Sequence, residues 1–447
     1  MSLRSHDVYN HDTDNFHANM AGKVKTNSVA DLLSPLISNI FNGMPKVRIQ
    51  FWDGSQLGEG NSDLSINVLS PKALKWLFWS PNELGLGRAY VAGDLDVSGD
   101  IFELLELLTS QIPDQVKVSF REILRLLKTG LKLGVIGWIP RPPEEEAKLR
   151  YVKLHSLSRD QKAISHHYDV GNNFYEIILG PAMTYSCARF AEDNFTLEQA
   201  QDAKHDLVCA KLGLREKKGL RLLDIGCGWG SMAIHAAKKY EANVVGITLS
   251  QEQAEYAQNR VKKLGLADKI EIRLQDYRTI DQEKFNAVSS IGMFEHVGRM
   301  RAEEYFAKIR SLLLPGGRLC NHAISKPGGS RLGKKTFVNR YIFPDGELLD
   351  VGEVVLLMEQ AGFEVRDVES LREHYNKTLT CWVKNLERNF DQAISLTSEA
   401  RAKIWRLYMA ASANGFRNNR MAIHQVLGVI PTENGESLMP STRNGWT

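Results

Sequence analysis

The sequence predicts an α/β protein, a doubly wound and mainly parallel sheet preceded by a smaller N-terminal α+β domain. Strand-like and helix-like patterns alternate from about residue 220 to 323, the signature of strands joined by crossover helices. The first of those strands, Leu222-Leu223-Asp224-Ile225, runs directly into Gly226-Cys227-Gly228-Trp229-Gly230 and then a helical pattern. Residues 29–100 read differently, as short apolar runs between Gly and Asp turns with helical patterns on their flanks.

Residues 1–26, rich in His, Asp and Asn, are expected to be disordered, as is the Gly/Asn/Thr/Ser-rich tail 431–447. Residues 27–139 form the first domain, with strands at Val47–Trp52 and Leu64–Val68 and a helix at 102–108. Its last helix, 116–133, is basic and amphipathic. Phe120, Ile123, Leu124, Leu127 and Leu131 share one face, while Lys117, Arg121, Arg125, Lys128 and Lys132 form a cationic stripe. Leucines packing on their own domain are one reading of that pattern, and a membrane-surface helix is the other. Arg141-Pro142-Pro143-Glu144-Glu145-Glu146 opens a linker, 140–160, and the second domain spans 161–430. In it, strands are expected near 220–225, 243–248, 270–274, 285–291 and 317–323, and helices near 230–240, 251–264 and 302–314. Residues 327–350 break the rhythm, which suggests an inserted loop over the site.

The global balance is ordinary. Across 447 residues, 56 basic and 53 acidic side chains leave a net charge of +3, so nothing calls for a nucleic-acid partner. The five cysteines show no Cys-x-x-Cys pair and no zinc-ligand spacing, and no HExxH-like pair occurs, so no metal is expected. Reduced thiols, and the lack of a signal-like start or a long apolar run, point to a cytoplasmic protein whose membrane contact would be peripheral.

The Gly-Cys-Gly-Trp-Gly spacing is not that of a dinucleotide site, and no phosphate-binding Lys-Ser/Thr follows. A nucleoside without pyrophosphate, such as S-adenosylmethionine, fits better, a tight strand-to-helix turn being the structural alternative. The second strand ends Gly246-Ile247-Thr248-Leu249-Ser250 without the acid that commonly holds a ribose, which leaves Thr248 and Gln253 as neutral partners. Gln275, Asp276 and Tyr277 follow the third strand and could face an adenine. Glu295, after the fourth, and His322, ending the fifth, stand where strands hand over to loops. A helix-capping acid and a structural histidine are the alternatives there.

HHYDVGN, MTYSCA, LLDIGCGWG, GITLSQEQ, LQDYR, SSIGMFEHVG, NHAI, RYIFPDGEL and HYNKTL, in this order, resemble the cyclopropane-fatty-acyl-phospholipid synthase family over about residues 160–428. The resemblance implies a class I methyltransferase-like fold. It also implies transfer of a methyl group from S-adenosylmethionine to the cis double bond of an esterified acyl chain. The resulting cation would lose a proton to a bound bicarbonate and close a three-membered ring. The positions matching the bicarbonate site are Cys187, Glu295, His322, the backbone at Ile324, and Tyr375, with Cys187 a pocket group and not a nucleophile. Those matching the cofactor site are Tyr185 and Ser186 at the methionine end, Gly226 and Gly228 as the backbone cradle, Thr248, Leu249 and Gln253 at the ribose, and Gln275, Asp276 and Tyr277 at adenine. Ser412 replaces a cysteine of some relatives. The resemblance also makes the basic helix a docking surface for anionic phospholipid at the inner face of the membrane, and implies a homodimer. A methylene-branched product, methylation of a soluble amine, and a lipid-binding module without catalysis are the competing functions.

Overall fold

The computed structural model describes residues 27–60, 63–112, 120–147, 170–328, 336–343 and 346–446. The N-terminal unit begins with helix α1 (Val29–Ile40), started by a capping box between Ser28 and Asp31. Strands β1 (Arg48–Phe51), β2 (Gln56–Leu57), β3 (Ser65–Val68) and β4 (Leu95–Ser98) form a small mixed sheet in the order β2-β1-β3-β4. Helices α2 (Pro71–Trp79), α3 (Glu83–Val91) and α4 (Ile101–Gln111) cover it, burying Val47, Phe51, Trp76 and Tyr90 in one core. Helix α5 (Phe120–Lys132) follows. Neither residues 1–26 nor Lys117 fall among the described residues.

The first residues of the expected linker are held by side chains and backbone of both units. Glu146 is buried and takes both ends of the Arg88 guanidinium, at 2.8 and 2.7 Å. Tyr341 donates to the same carboxylate, and the Ala147 N–H donates to the Arg340 carbonyl. Residues 148–160 of the expected linker lie outside the described residues.

The second unit carries the doubly wound sheet. Its strands are β5 (Arg221–Ile225), β6 (Asn243–Thr248), β7 (Ile270–Leu274), β8 (Phe285–Ile291), β9 (Leu313–Ser325), β10 (Glu364–Ser370) and β11 (Ala422–Val429), in the order β10-β11-β9-β8-β5-β6-β7. From β7 to β9 the pairing is parallel, whereas β11 runs antiparallel to both of its neighbours. Helices α6 (Asn172–Leu179), α7 (Leu197–Lys211), α8 (Ser231–Tyr240), α9 (Gln251–Lys263), α10 (Phe294–Val297) and α11 (Ala302–Leu312) fill the crossovers and flanks. Beyond β9 come α12 (Phe337–Tyr341), α13 (Val351–Gln360), α14 (Arg372–Arg388), α15 (Phe390–Leu396) and α16 (Glu399–Arg417). The expected strands and helices between 220 and 323 are present within a few residues of their anticipated ends.

The tail corrects an expectation. Residues 431–446 pack against the sheet instead of trailing free: the Arg318 guanidinium donates to the Leu438 carbonyl, Arg443 pairs with Asp367, and Trp446 is buried. A polar composition does not prevent docking where cations and carbonyls find buried partners.

Helix α16 joins the two units. Trp405 and Phe416 on it belong with Trp382 of α14 to the second unit's aromatic core, Phe416 against Tyr375 and Trp405 against Tyr408. On its other side Arg406 donates to the Tyr90 hydroxyl, Asn414 to the Thr109 hydroxyl, and Arg417 to Glu106. Phe337 of α12 sits so close to Gly87 of α3 that a Cβ there would lie 2.3 Å from its ring.

Candidate active site

One cleft opens at the carboxyl ends of β5 to β8, where a doubly wound sheet binds its ligand. All ten residues expected at a cofactor line it: Tyr185, Ser186, Gly226, Gly228, Thr248, Leu249, Gln253, Gln275, Asp276 and Tyr277. The turn after β5 has Gly226 at φ +74°, Gly228 at φ +53° and Gly230 at φ +81°, a run of left-handed backbone that side chains disfavour. The Gly226 and Cys227 N–H groups both donate to the Ile247 carbonyl at 2.9 Å, clipping the turn to β6. A Cβ on Gly228 would meet nothing within 4 Å, so the backbone there faces open space into which a ligand fits.

The polar groups around this turn are preset. The Thr248 hydroxyl donates to Gln253 Oε1 at 2.9 Å and accepts from the Ser250 N–H, which leaves the Gln253 amide N–H groups to give. Both oxygens of Asp276 are engaged by Arg278, through the backbone N–H, Nε and Nη2 at 2.9, 2.8 and 2.6 Å. Asp276 therefore lines the cleft as a braced acceptor. Asp224, at the end of β5, accepts from the Ser289 hydroxyl at 2.6 Å through one oxygen, and its other oxygen is enclosed without a partner. Burial raises this carboxyl to about 6.

A second polar group gathers beside the cleft, at the end of β9. Glu295, on α10, accepts from the Ile324 N–H through Oε1 at 2.7 Å, while its Oε2 is enclosed with no partner. Enclosure pushes its carboxyl up to about 7. His322, wholly buried on β9, meets Gln425 of β11 across the strand pair at 3.0 Å through Nδ1, and its Nε2 has no partner. Burial holds that imidazole far below its ordinary pKa, so it is neutral. The Ile324 N–H expected to hold an anion is thus already given to Glu295.

Cys187 and Tyr375 join this group through the backbone. The Leu371 N–H donates to Ile423, the β11 partner of Ile324, and the Leu371 carbonyl accepts from the Tyr375 N–H and lies 3.6 Å from Cys187 Sγ. Tyr375 packs between Phe416 and Trp382. Cys187 is wholly buried, and burial drives its thiol far above its ordinary pKa; such a group is a packing element and not a thiolate. The surrounding walls are aromatic, with Tyr185 stacked near Trp382 and its hydroxyl 3.3 Å from that of Tyr408. Phe343, from the expected loop, contacts His296 and Tyr408, so that segment does reach the site.

Four cleft residues lie outside the motifs read from the sequence: Lys204, His205, Ser231 and Met232. On α7, Lys204 and Lys211 stand seven residues apart among Ala200, Leu207 and Val208. Cations recurring on the apolar face of a helix were the available signal.

Comparison with known proteins agrees with this geometry. The mycolic acid cyclopropane synthetase family matches residues 155–426, and a domain of unknown function matches residues 32–117. A Mycobacterium tuberculosis protein named a probable fatty acid methyltransferase is 41% identical over 89% of this chain and 94% of its own length. The cyclopropane-fatty-acyl-phospholipid synthase of Escherichia coli is 32% identical over 84% of this chain and 90% of its own. Among solved structures, the M. tuberculosis cyclopropane synthase CmaA1, complexed with SAH and CTAB, superposes with a TM-score of 0.57 at 34% identity, covering 62% of this chain and 99% of that one. Coclaurine N-methyltransferase bound to N-methylheliamine and SAH gives a TM-score of 0.55 at 25% identity, over 70% of this chain and 95% of its own. With strand order, glycine turn and sequence in agreement, the chain belongs to the mycolic acid cyclopropane synthetase family of S-adenosylmethionine-dependent methyltransferases.

Proposed function

We propose that the protein adds a one-carbon unit to the cis double bond of an unsaturated acyl chain in a membrane phospholipid and closes a cyclopropane ring. The observation that carries this reading is that two enclosed polar atoms near the end of β9, Glu295 Oε2 and His322 Nε2, have no partner, where Ile324 packs on the aromatic core. An alkene is a weak nucleophile, so catalysis must come from holding it in line with the methyl donor in a dry pocket. S-adenosylmethionine supplies the methyl group. The open backbone at Gly228 and the lone oxygen of Asp224 fit such a ligand.

Bicarbonate would supply the base that takes a proton from the cation formed on the acyl chain. Glu295, His322 and Tyr375 would hold it beside Ile324, whose N–H is already given to Glu295, with Cys187 closing the pocket. Glu295 is suited to face an anion, because a carboxyl raised to about 7 is substantially protonated near neutrality and can donate from Oε2. A neutral His322 can donate from Nε2 as well, provided Nδ1 accepts from the Gln425 amide. A second reading shares every step up to that cation: a hydride shift to it, then loss of a proton from the added methyl group, would leave a methylene branch, and the relative named a probable fatty acid methyltransferase is compatible with either product.

The test is to incubate the protein with S-adenosylmethionine, bicarbonate and vesicles of cis-unsaturated phospholipid, and to analyse the released fatty acids by mass spectrometry and NMR. Gain of one CH2 unit as a cyclopropane is expected. An exocyclic alkene would select the second reading, and unmodified lipid with bound cofactor would direct the search to soluble acceptors.

We infer that α5 supplies the lipid contact. Its Leu124, Leu127 and Leu131 are exposed, at 44, 39 and 68%, so they do not serve the domain's own core. Arg125, Lys128 and Lys132 are exposed beside them, and Trp138 stands 96% exposed just beyond. The Arg121 side chain lies outside the described residues. Apolar anchors flanked by cations suit an anionic bilayer surface. No described helix is long and apolar enough to cross a membrane. Reversing Arg125, Lys128 and Lys132 to Glu should weaken binding to anionic vesicles by at least about a hundredfold, at about 1 kcal/mol per cation. Unchanged sedimentation with vesicles would remove α5 from this role.

A further inference from the structure

Lys204 is wholly buried on α7, yet it lines the cofactor cleft. Its ammonium donates to the Ser186 hydroxyl at 3.0 Å. An ammonium has donors only, so the hydroxyl must accept this bond and is left with its own proton to give. Ser186 also lines the cleft. The pair is therefore arranged so that a neutral hydroxyl, backed by a buried charge, offers one donor to whatever occupies that end.

Lys204 is not needed to hold the loop in place. Gln201, one turn earlier on α7, donates to the carbonyls of Thr184 and Ser186 at 3.3 and 2.9 Å and fixes that backbone by itself. A buried ammonium is costly: burial drags Lys204 down to about 8, and a Met or Leu would fill the volume without that penalty. The carboxylate within its field is Asp224, which also lines the cleft and has one enclosed oxygen without a partner. A charge-backed donor near a charged acceptor is complementary to a zwitterionic amino-acid group.

We propose that Lys204, acting through Ser186, is the positioning residue by which this enzyme recognises the carboxylate of its cofactor and rejects nucleosides that lack one. The proposal rests on the reading that Ser186 meets the methionyl end of S-adenosylmethionine. Charge-assisted hydrogen bonds give roughly ten- to hundredfold in affinity.

The test uses the full chain and two unreactive probes, S-adenosylhomocysteine and its decarboxylated counterpart, with dissociation constants measured by calorimetry. The native protein should prefer the carboxylate-bearing probe by about tenfold or more. Lys204→Met should cut that preference to about twofold or less, while affinity for the decarboxylated probe stays within about threefold. Ser186→Ala, which removes only the hydroxyl and leaves the Gln201 bonds to the backbone in place, should do the same and carries the test if Lys204→Met fails to fold. A variant that keeps the preference, or one that loses both probes in equal measure, would overturn the proposal. Native protein that binds both probes equally would overturn it too. Native protein that binds neither would instead defeat the cofactor reading of the cleft.

Discussion

Glu295→Ala is expected to lower turnover by about 10²- to 10⁴-fold, the usual worth of a positioned acid or base, while affinity for S-adenosylhomocysteine stays within about twofold. The split follows from geometry: Glu295 accepts from the Ile324 N–H at the end of β9 and is not among the residues that line the cleft. Steady-state kinetics on vesicles together with calorimetry measure both halves, and a cofactor affinity that falls in step with turnover would make Glu295 a structural brace. Glu295→Gln supplies an independent check through stability. In the folded protein this carboxyl sits near 7, against 4.5 ordinarily, so between those values the folded state keeps a proton that the unfolded chain has released. Native stability therefore falls as pH rises through that window, by roughly 3 kcal/mol in all. Glutamine removes the dependence, and the thermal stability of the variant relative to native protein should rise from pH 5 to pH 8. A constant difference would mean the native carboxyl titrates normally.

Lys211→Ala should cost about 3–5 kcal/mol in unfolding free energy, because breaking a buried ion pair strands the other charge. Lys211 is wholly buried at the end of α7 and reaches Asp367 at 2.9 Å and Glu369 at 2.6 Å, both on β10. Asp367 is itself buried and also takes Arg443 from the tail. One ammonium thus fastens the edge strand of the sheet to a helix that packs on its face. Urea unfolding of Lys211→Ala measures the loss, and Asp367→Asn in the same chain should restore part of it. A loss below about 1 kcal/mol would place the pair among the weak surface contacts.

Legibility in the sequence follows from how each part is held. Strands β5, β6 and β8 are buried on both faces, so their apolar runs and the Gly and Leu-Pro-Gly-Gly punctuation mark them directly. β10 and β11 were not anticipated: Glu-Val-Arg-Asp-Val-Glu-Ser is an edge strand whose acids are used by Lys211 and Arg443, and no periodicity reports that. The cofactor residues were readable because they cluster in short contiguous motifs at strand ends. Lys204 was not, since Gln-Ala-Gln-Asp-Ala-Lys reads as a solvated helix face until α7 is packed against β9. Glu146 was hidden likewise, its partner Arg88 being far away in the chain and in a different unit. The tail was misread on composition, which carries no information about the Arg318 guanidinium waiting for the Leu438 carbonyl.

Helix α16 makes the two halves of this enzyme poor candidates for separation. It gives Trp405 and Phe416 to the catalytic core and, from its opposite flank, hands Arg406, Asn414 and Arg417 to the N-terminal unit. Excising residues 1–150 would uncover the Phe337 ring now pressed on Gly87 and leave the Leu407 flank without its cover. A catalytic unit made to stand alone would therefore need α16 recoded at Arg406, Leu407, Asn414 and Arg417, the positions that now face the N-terminal unit.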